Sequence, residues 1–225
     1  PLAAALAMLG YAAPMASQAA EAPAKVMFAI GQVSAVNGEG QSREVKRGEE
    51  IYTGESVVTQ RGRVHLRFSD GGKVSLKPNT EFKVDEYTFN KAEPTESRSF
   101  FRLVRGGIRA VTGLIGRTDR RDYQVRTAIA TIGIRGTIFE AELGNSITVR
   151  VLEGSIELFD NEGNLIDVFD AGEQAHYDEN TGKVTLGGHN ITVPDVETAR
   201  SLNLPPDAAS SEDVDDMGRS SVLGY

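Results

Sequence analysis

Apolar and polar residues alternate with period two from Val26 onward, and this pattern predicts β-strands. Residues 63–68 read Arg-Val-His-Leu-Arg-Phe, which places three apolar side chains on one face and three polar ones on the other. Residues 73–76 follow Ser-Asp-Gly-Gly, a sequence typical of a two-residue hairpin turn because glycine accepts positive φ. The whole chain predicts roughly a dozen short strands joined by close turns.

The same pattern predicts further elements. Strands are expected at 147–151 and 155–159, with a turn at Glu153-Gly154 between them, and at 183–186. Residues 100–108 are apolar enough for a strand. A short turn of helix is expected within 111–115.

A short stretch occurs twice. Residues 31–49 and residues 154–173 each predict a strand, a turn, a strand and then a Gly-Glu turn. Two such units can stack their apolar faces and close a sheet on itself, although short strand–turn units can also resemble each other by chance. The expected fold is all-β: a compact β-roll or β-helix-like domain of many short strands over 25–190.

The two ends of the chain differ from this body. Residues 1–20 carry no charge and include 15 apolar residues, and Ser17 to Ala20 resembles a cleavage site, so residues 1–19 are predicted to be a truncated signal peptide. The alternative is an N-terminal membrane anchor. Residues 191–206 predict a short helical segment, and the acidic residues 207–225 predict a disordered tail. An exported, cysteine-free chain favours the periplasm of a Gram-negative bacterium.

Composition limits the chemistry. There is no cysteine, and the three histidines, His65, His176 and His189, have no partners at metal-ligand spacing, so no metal or cofactor is expected. No nucleophile elbow or nucleotide loop is present. The sequence therefore favours a non-enzymatic protein over an unrecognised carbohydrate-active enzyme.

Charge is unevenly distributed. Residues 98–135 contain nine arginines and two aspartates, a net charge of +7 within a chain of −8. Arginine binds carboxylates and phosphates bidentately, so this segment predicts an anionic partner: a protein, a lipid headgroup or an envelope glycan. The alternative is pairing with the acidic remainder of the chain. No nucleic-acid partner is expected, because of the overall charge and the predicted export.

Thr127 to Thr137 begins with a threonine, continues through small apolar residues and ends in Arg-Gly-Thr. This segment resembles the hallmark of the FecR-type periplasmic domain, and further matches lie in order between about Ile30 and Ala175. They include Leu66 to Gly72, Leu76 to Phe82, Phe101 to Gly107 and Val151 to Ile156. The family often has proline where this chain has Ala128.

The resemblance implies a periplasmic all-β interaction domain. Sigma-factor regulation and iron sensing do not carry over, because no cytoplasmic segment is evident. We expect a module that binds another envelope protein in signalling or regulation; the alternative is an envelope-structural module that binds peptidoglycan or anionic lipid through the arginine-rich segment. Arg135 is expected to be partly buried, as a structural clamp or a partner contact. The candidate binding residues are Arg135, Thr137, Arg102, Arg105, Arg109, Arg117, Arg120 and Arg121.

Overall fold

The computed structural model describes residues 22–118 and 121–187, and this part of the chain is almost entirely β-strand. The predicted signal peptide at 1–19, the helix at 191–206 and the tail at 207–225 lie outside the described residues. The strands are β1 (Ala24–Ile30), β2 (Val33–Val36), β3 (Ser42–Glu44), β4 (Glu50–Ile51), β5 (Ser56–Thr59), β6 (Arg63–Phe68), β7 (Lys73–Leu76), β8 (Glu81–Thr88), β9 (Arg98–Val111), β10 (Tyr123–Arg126), β11 (Thr131–Leu143), β12 (Ile147–Phe159), β13 (Leu165–Asp170), β14 (Gln174–Asp178) and β15 (Lys183–Gly187). A 3-10 turn (Pro94–Glu96) and a one-turn helix, α1 (Ile115–Thr118), accompany them. The all-β prediction is confirmed.

The predicted hairpin of β6 and β7 is confirmed to the residue. The apolar side chains of β6 are buried, at 0–3% exposure, and its polar ones face outward. The Phe68 N–H donates to the Gly72 carbonyl at 2.8 Å and closes the turn. Local alternation and a glycine turn are therefore sufficient to specify this hairpin.

The strands form one continuous sheet that divides into two halves. We call one half wing A, with strand order β3-β2-β5-β8-β9-β10-β11-β12-β13, and the other wing B, with order β4-β1-β6-β7-β9-β11-β12-β14-β15. Strands β9, β11 and β12 are 13 or 14 residues long and contribute to both wings. Their two ends pair with different neighbours, so the sheet turns a corner along these strands.

A glycine at positive φ marks each bend. Gly106, Gly136 and Gly154 have φ of 79°, 60° and 77°. The predicted turn at Glu153-Gly154 is therefore wrong: β12 runs through it without reversing, because β11 pairs with β12 on both sides of the glycine. The register shifts between Arg135 and Phe139, as expected for a bulge that bends a strand.

The inner faces of the two wings share one apolar core. Phe68 of wing B lies with its ring centroid 5.0 Å from that of Phe101 in wing A. Phe101 also contacts Phe82 and Tyr123, at centroid distances of 5.2 Å each. Such aromatic pairs hold the wings together beyond the effect of area burial alone.

The predicted helical turn at 111–115 is displaced. Val111 continues β9, where it lies opposite Lys73 and Ile138, and α1 begins at Ile115. The buried Asp70 carboxylate sets this start, since its Oδ2 accepts the Ile115 N–H at 3.3 Å. Gly113 packs directly on that carboxylate and leaves no space for a side chain.

The internal repeat is confirmed at the level of hydrogen bonds. In each copy the turn glycine donates its N–H to a valine carbonyl on a neighbouring strand, and the valine N–H donates to the carbonyl of the following glutamate. The glutamate side chain accepts the N–H of the first turn residue. A third turn of the same construction, at 52–55, was not predicted. The three turns, at 46–49, 52–55 and 170–173, bind Val26, Val84 and Val151 with distances of 2.7–3.3 Å.

Candidate functional site

Three of the predicted binding arginines lie on β9, each close to a carboxylate of an adjacent strand. Arg102 Nε lies 2.9 Å from Asp85 Oδ2, and Arg105 Nε lies 3.6 Å from Glu81 Oε2. Arg109 Nε lies 2.9 Å from Glu140 Oε1, although its N–H does not point at that oxygen. Because acids on adjacent strands balance their charges, these arginines support the intramolecular pairing that the sequence left open.

Other predicted arginines lie apart from these three residues of β9. Arg117 is exposed on α1, near Gly136, and Arg121 is exposed just before β10. Arg120 lies outside the described residues. The structure therefore does not gather the predicted arginines into one cluster, since β9 carries Arg102 in wing A and Arg109 in wing B.

Arg135 is exposed, and the expectation that it would be partly buried is wrong. Ile132 and Ile134 face the core from β11, and Arg135 points outward after them. It lies opposite Ser155 on β12, and its guanidinium forms no ion pair with the described residues. A charge on the outer face of a strand remains solvated, so Arg135 is available to a partner and is not a buried clamp.

Thr137, by contrast, is buried, at 1% exposure. Its hydroxyl donates to the Ser155 carbonyl at 2.8 Å, and its N–H donates to Thr112 Oγ1 at 2.8 Å. Thr80 has the same arrangement with Thr59 and Gly107, so the hallmark threonine has an internal counterpart. Both threonines therefore hydrogen-bond to neighbouring segments next to a glycine at which a long strand bends.

A shallow open groove of about 530 Å³ crosses the outer face of wing A near Arg126. The Arg126 guanidinium lies 5.4 Å from the centre of the Phe100 ring, which orients it over an aromatic face. At the far end of the groove, hydrogen bonds from Asn164 lower the pKa of Asp160 and keep its carboxylate charged. The groove is lined by Arg121, Gln124, Arg126, Thr127, Thr131, Phe159 and residues 160–163.

Exposed apolar side chains extend from this groove to the edge of wing A. Leu165 is 54% exposed opposite the groove residue Phe159, and Val168 is 42% exposed opposite Glu157. Both belong to β13, which pairs with β12 alone among the described strands. The groove, Arg135 and these two side chains together form what we call the arginine groove surface.

The described residues provide little support for chemistry at a metal. No group of three or more His, Asp or Glu side chains within them lies close enough together to hold an ion. No helix in the described part of the chain is long and apolar enough to cross a membrane.

Arginine and exposed apolar side chains occur together on the outer face of this all-β domain, and arginine is a residue type enriched at protein interfaces. Residues 49–157 match the model of the family described as FecR protein, which confirms over this segment the resemblance predicted from the sequence. The match starts after β3 and ends within β12, whereas the described strands extend from Ala24 to Gly187. The repeated Gly-Glu units thus extend the fold on both sides of the family segment. A FecR domain supports a regulatory or signalling role that involves another protein.

No curated protein matches the sequence. Two crystal structures of a proposed anti-sigma factor from Parabacteroides distasonis are similar to this chain, each with a TM-score of 0.47 and 17% identity. The alignment covers 59% of this chain and 58% of that protein.

Proposed function

We propose that this chain is a non-enzymatic periplasmic module that binds another envelope protein through the arginine groove surface. The observation that carries the proposal is that the exposed Arg135 lies on the same outer face of wing A as the solvent-exposed Leu165 and Val168. Arginine and apolar side chains together are typical of protein interfaces, and single-sign charged surfaces are not.

Strand β13 offers a second means of contact. It is an edge strand, so one side of its backbone has no neighbouring strand within residues 22–118 and 121–187. The Asp167 carboxylate accepts the Val168 N–H at 2.9 Å and covers part of that edge. An extended segment of a partner can displace this local contact and add to the sheet.

The periplasmic location rests on two supports. FecR proteins are typically associated with the cell envelope. The uncharged, apolar residues 1–20 have the composition of an export sequence.

The test uses two matched double variants of the full chain. Arg126→Glu with Leu165→Asp changes the arginine groove surface. Arg105→Glu with Val104→Asp makes the same changes on β9, where Val104 is 43% exposed. A photo-reactive residue at Val168 identifies the partner by cross-linking in cells, and calorimetry with the purified partner measures affinity.

We expect the groove variant to bind at least about tenfold more weakly, since charge reversal in an interface typically costs more than 1.4 kcal/mol. The β9 variant should bind like the parent chain. Equal affinity of all three proteins, or cross-linking that leads to no envelope protein, would contradict the proposal.

A further inference from the structure

Three cations lie side by side across the outer face of wing B. Lys25 of β1 is opposite Arg67 of β6, and Arg67 is opposite Lys73 of β7. Adjacent strands are separated by about 4.8 Å, so the three side chains form a straight row, which we call the basic row. Arg63 lies exposed on the same face of β6.

The basic row has a counter-charge at one end only, where Glu50 of β4 lies opposite Lys25. The Glu50 carboxylate also accepts a hydrogen bond from the Tyr52 hydroxyl at 2.8 Å, and no acid lies opposite Arg67 or Lys73 in the described strand pairs. None of the three basic side chains forms a hydrogen bond or an ion pair with the described residues, whereas Arg102, Arg105 and Arg109 each lie within 3.6 Å of an acid. Like charges directly opposite on a sheet are destabilising, so the row stores repulsion that a bound anion would relieve.

This repulsion acts on the ammonium group of Lys73. Partial burial, together with the Arg67 charge, lowers the pKa of the Lys73 ammonium group. An anion placed against the row would remove the second of these effects.

The position of the basic row indicates which anion it meets. The Ser69 N–H donates to the Pro23 carbonyl at 3.0 Å, which fixes the start of the described chain beside Arg67. Lys25 therefore follows within five residues of the uncharged, apolar run at 1–20. The same face also presents Ile30, which is 58% exposed. With residues 1–20 retained, as in the membrane-anchor alternative for this run, Lys25 and Arg67 lie next to an apolar membrane-seeking segment, and basic side chains in that position are typical of contact with anionic lipid surfaces.

We propose that the basic row binds the phosphate groups of anionic phospholipids and holds wing B against a bilayer surface. The arginine groove surface lies on wing A, so the two contacts use different faces of the domain. This inference does not depend on the proposed protein partner. It also assigns lipid contact to residues outside the arginine-rich segment at 98–135.

Vesicle co-sedimentation of the full chain tests this inference. Vesicles of phosphatidylcholine alone measure the contribution of residues 1–20, and vesicles that also contain phosphatidylglycerol measure the electrostatic gain. Arg67→Gln with Lys73→Gln removes two members of the basic row. The matched control is Arg102→Gln with Lys83→Gln, because these residues are also an Arg–Lys pair directly opposite on adjacent strands.

We expect the basic-row variant to lose about 25-fold in affinity for anionic vesicles, at about fivefold per cation, and the control to retain its affinity. High salt should abolish the extra affinity that the parent chain has for anionic vesicles over neutral ones. If phosphatidylglycerol increased the vesicle affinity of all three proteins equally, the increase would belong to another part of the chain and the proposal would be overturned. Absence of any gain would overturn it as well, as would equally tight binding of a soluble acidic peptide. Urea unfolding of each variant confirms that the comparison is between folded proteins.

Discussion

At the scale of single residues, the arginine and the threonine of the hallmark Arg-Gly-Thr have different roles. Arg135 faces solvent, whereas Thr137 is buried and bonded to two neighbouring strands. The glycine between them provides the positive φ that separates the two orientations. We therefore expect substitutions at Thr137 to affect stability, and substitutions at Arg135 to affect partner binding.

The hydroxyl of Thr137 can be tested alone. Thr137→Val keeps the shape of the side chain but leaves the Ser155 carbonyl without its donor, and we expect a loss of about 1–3 kcal/mol in the free energy of unfolding. Urea denaturation measures this loss. Thr185→Val, on the exposed strand β15, is the control and should change stability by less than about 0.5 kcal/mol. A Thr137→Val protein as stable as the control would refute the structural role.

Local sequence predicted some of these residues and not others. The alternation along β11 places Ile132 and Ile134 inward and Arg135 outward, so the expectation of a buried Arg135 gave too much weight to its apolar neighbours. Asp70 was predicted as a turn residue, and it is one, since its carboxylate accepts the Gly72 N–H at 2.9 Å. Its bond to Ile115, 45 residues away, could not be predicted from a local pattern.

At the scale of elements, the bends of β9 and β12 depend on close approach between strands. A Cβ on Gly154 would lie 2.5 Å from the Gly136 carbonyl oxygen, and one on Gly106 would lie 2.5 Å from Thr80 Oγ1. These distances are well inside van der Waals contact. The glycines at the bends are therefore required by space as well as by backbone conformation.

This requirement predicts different costs for two alanine substitutions. Gly154→Ala should lower the free energy of unfolding by about 3 kcal/mol or more, because it combines the positive-φ penalty with overpacking against β11. Gly163→Ala, in the hairpin between β12 and β13, has φ of 87° and nothing within 4 Å of its Cβ, so it should lose about 1–2 kcal/mol. Thermal or urea unfolding measures both. Equal losses would mean that the close approach at Gly154 is unimportant.

The same pair of glycines shows where prediction of elements from sequence reaches its limit. Glu153-Gly154 was predicted as a turn, and Glu162-Gly163, the same dipeptide, lies in the turn predicted within residues 154–173. The second one is a turn, closed by the Asp160 N–H bond to Asn164. The first is a bend, because β11 pairs with β12 on both sides of it. That difference depends on a partner strand distant in sequence.

At the scale of the whole molecule, charge is arranged by topology and not by sequence position. The segment 98–135 is strongly positive, but the bend at Gly106 distributes its arginines over two wings and beside different acids. The basic row, in contrast, combines single residues from β1, β6 and β7. No window of sequence contains it, so only the strand pairing reveals it.

The pH dependence of stability should report on wing B. Burial and the Arg63 charge lower the pKa of His65 below its usual 6.5, so folding favours the neutral imidazole. The stability from this group is complete above pH 6.5 and is lost as the pH falls through the lowered pKa of the folded state. His65→Gln should flatten the decrease in urea midpoint below pH 6.5. His176→Gln, at an exposed position on β14, should leave the decrease unchanged, and the reverse result would contradict this assignment.

The long strand β9 determines when the chain can fold. Its partners come from residues 73–88 before it and from residues 123–143 after it, and the two wings are joined along its length. Such distant pairing makes folding slow compared with that of helical proteins. A chain that crosses a membrane with its N-terminus first has no complete wing until β13 has emerged. The periplasmic location proposed above would thus have export and folding separated in time by the order in which the strands arrive.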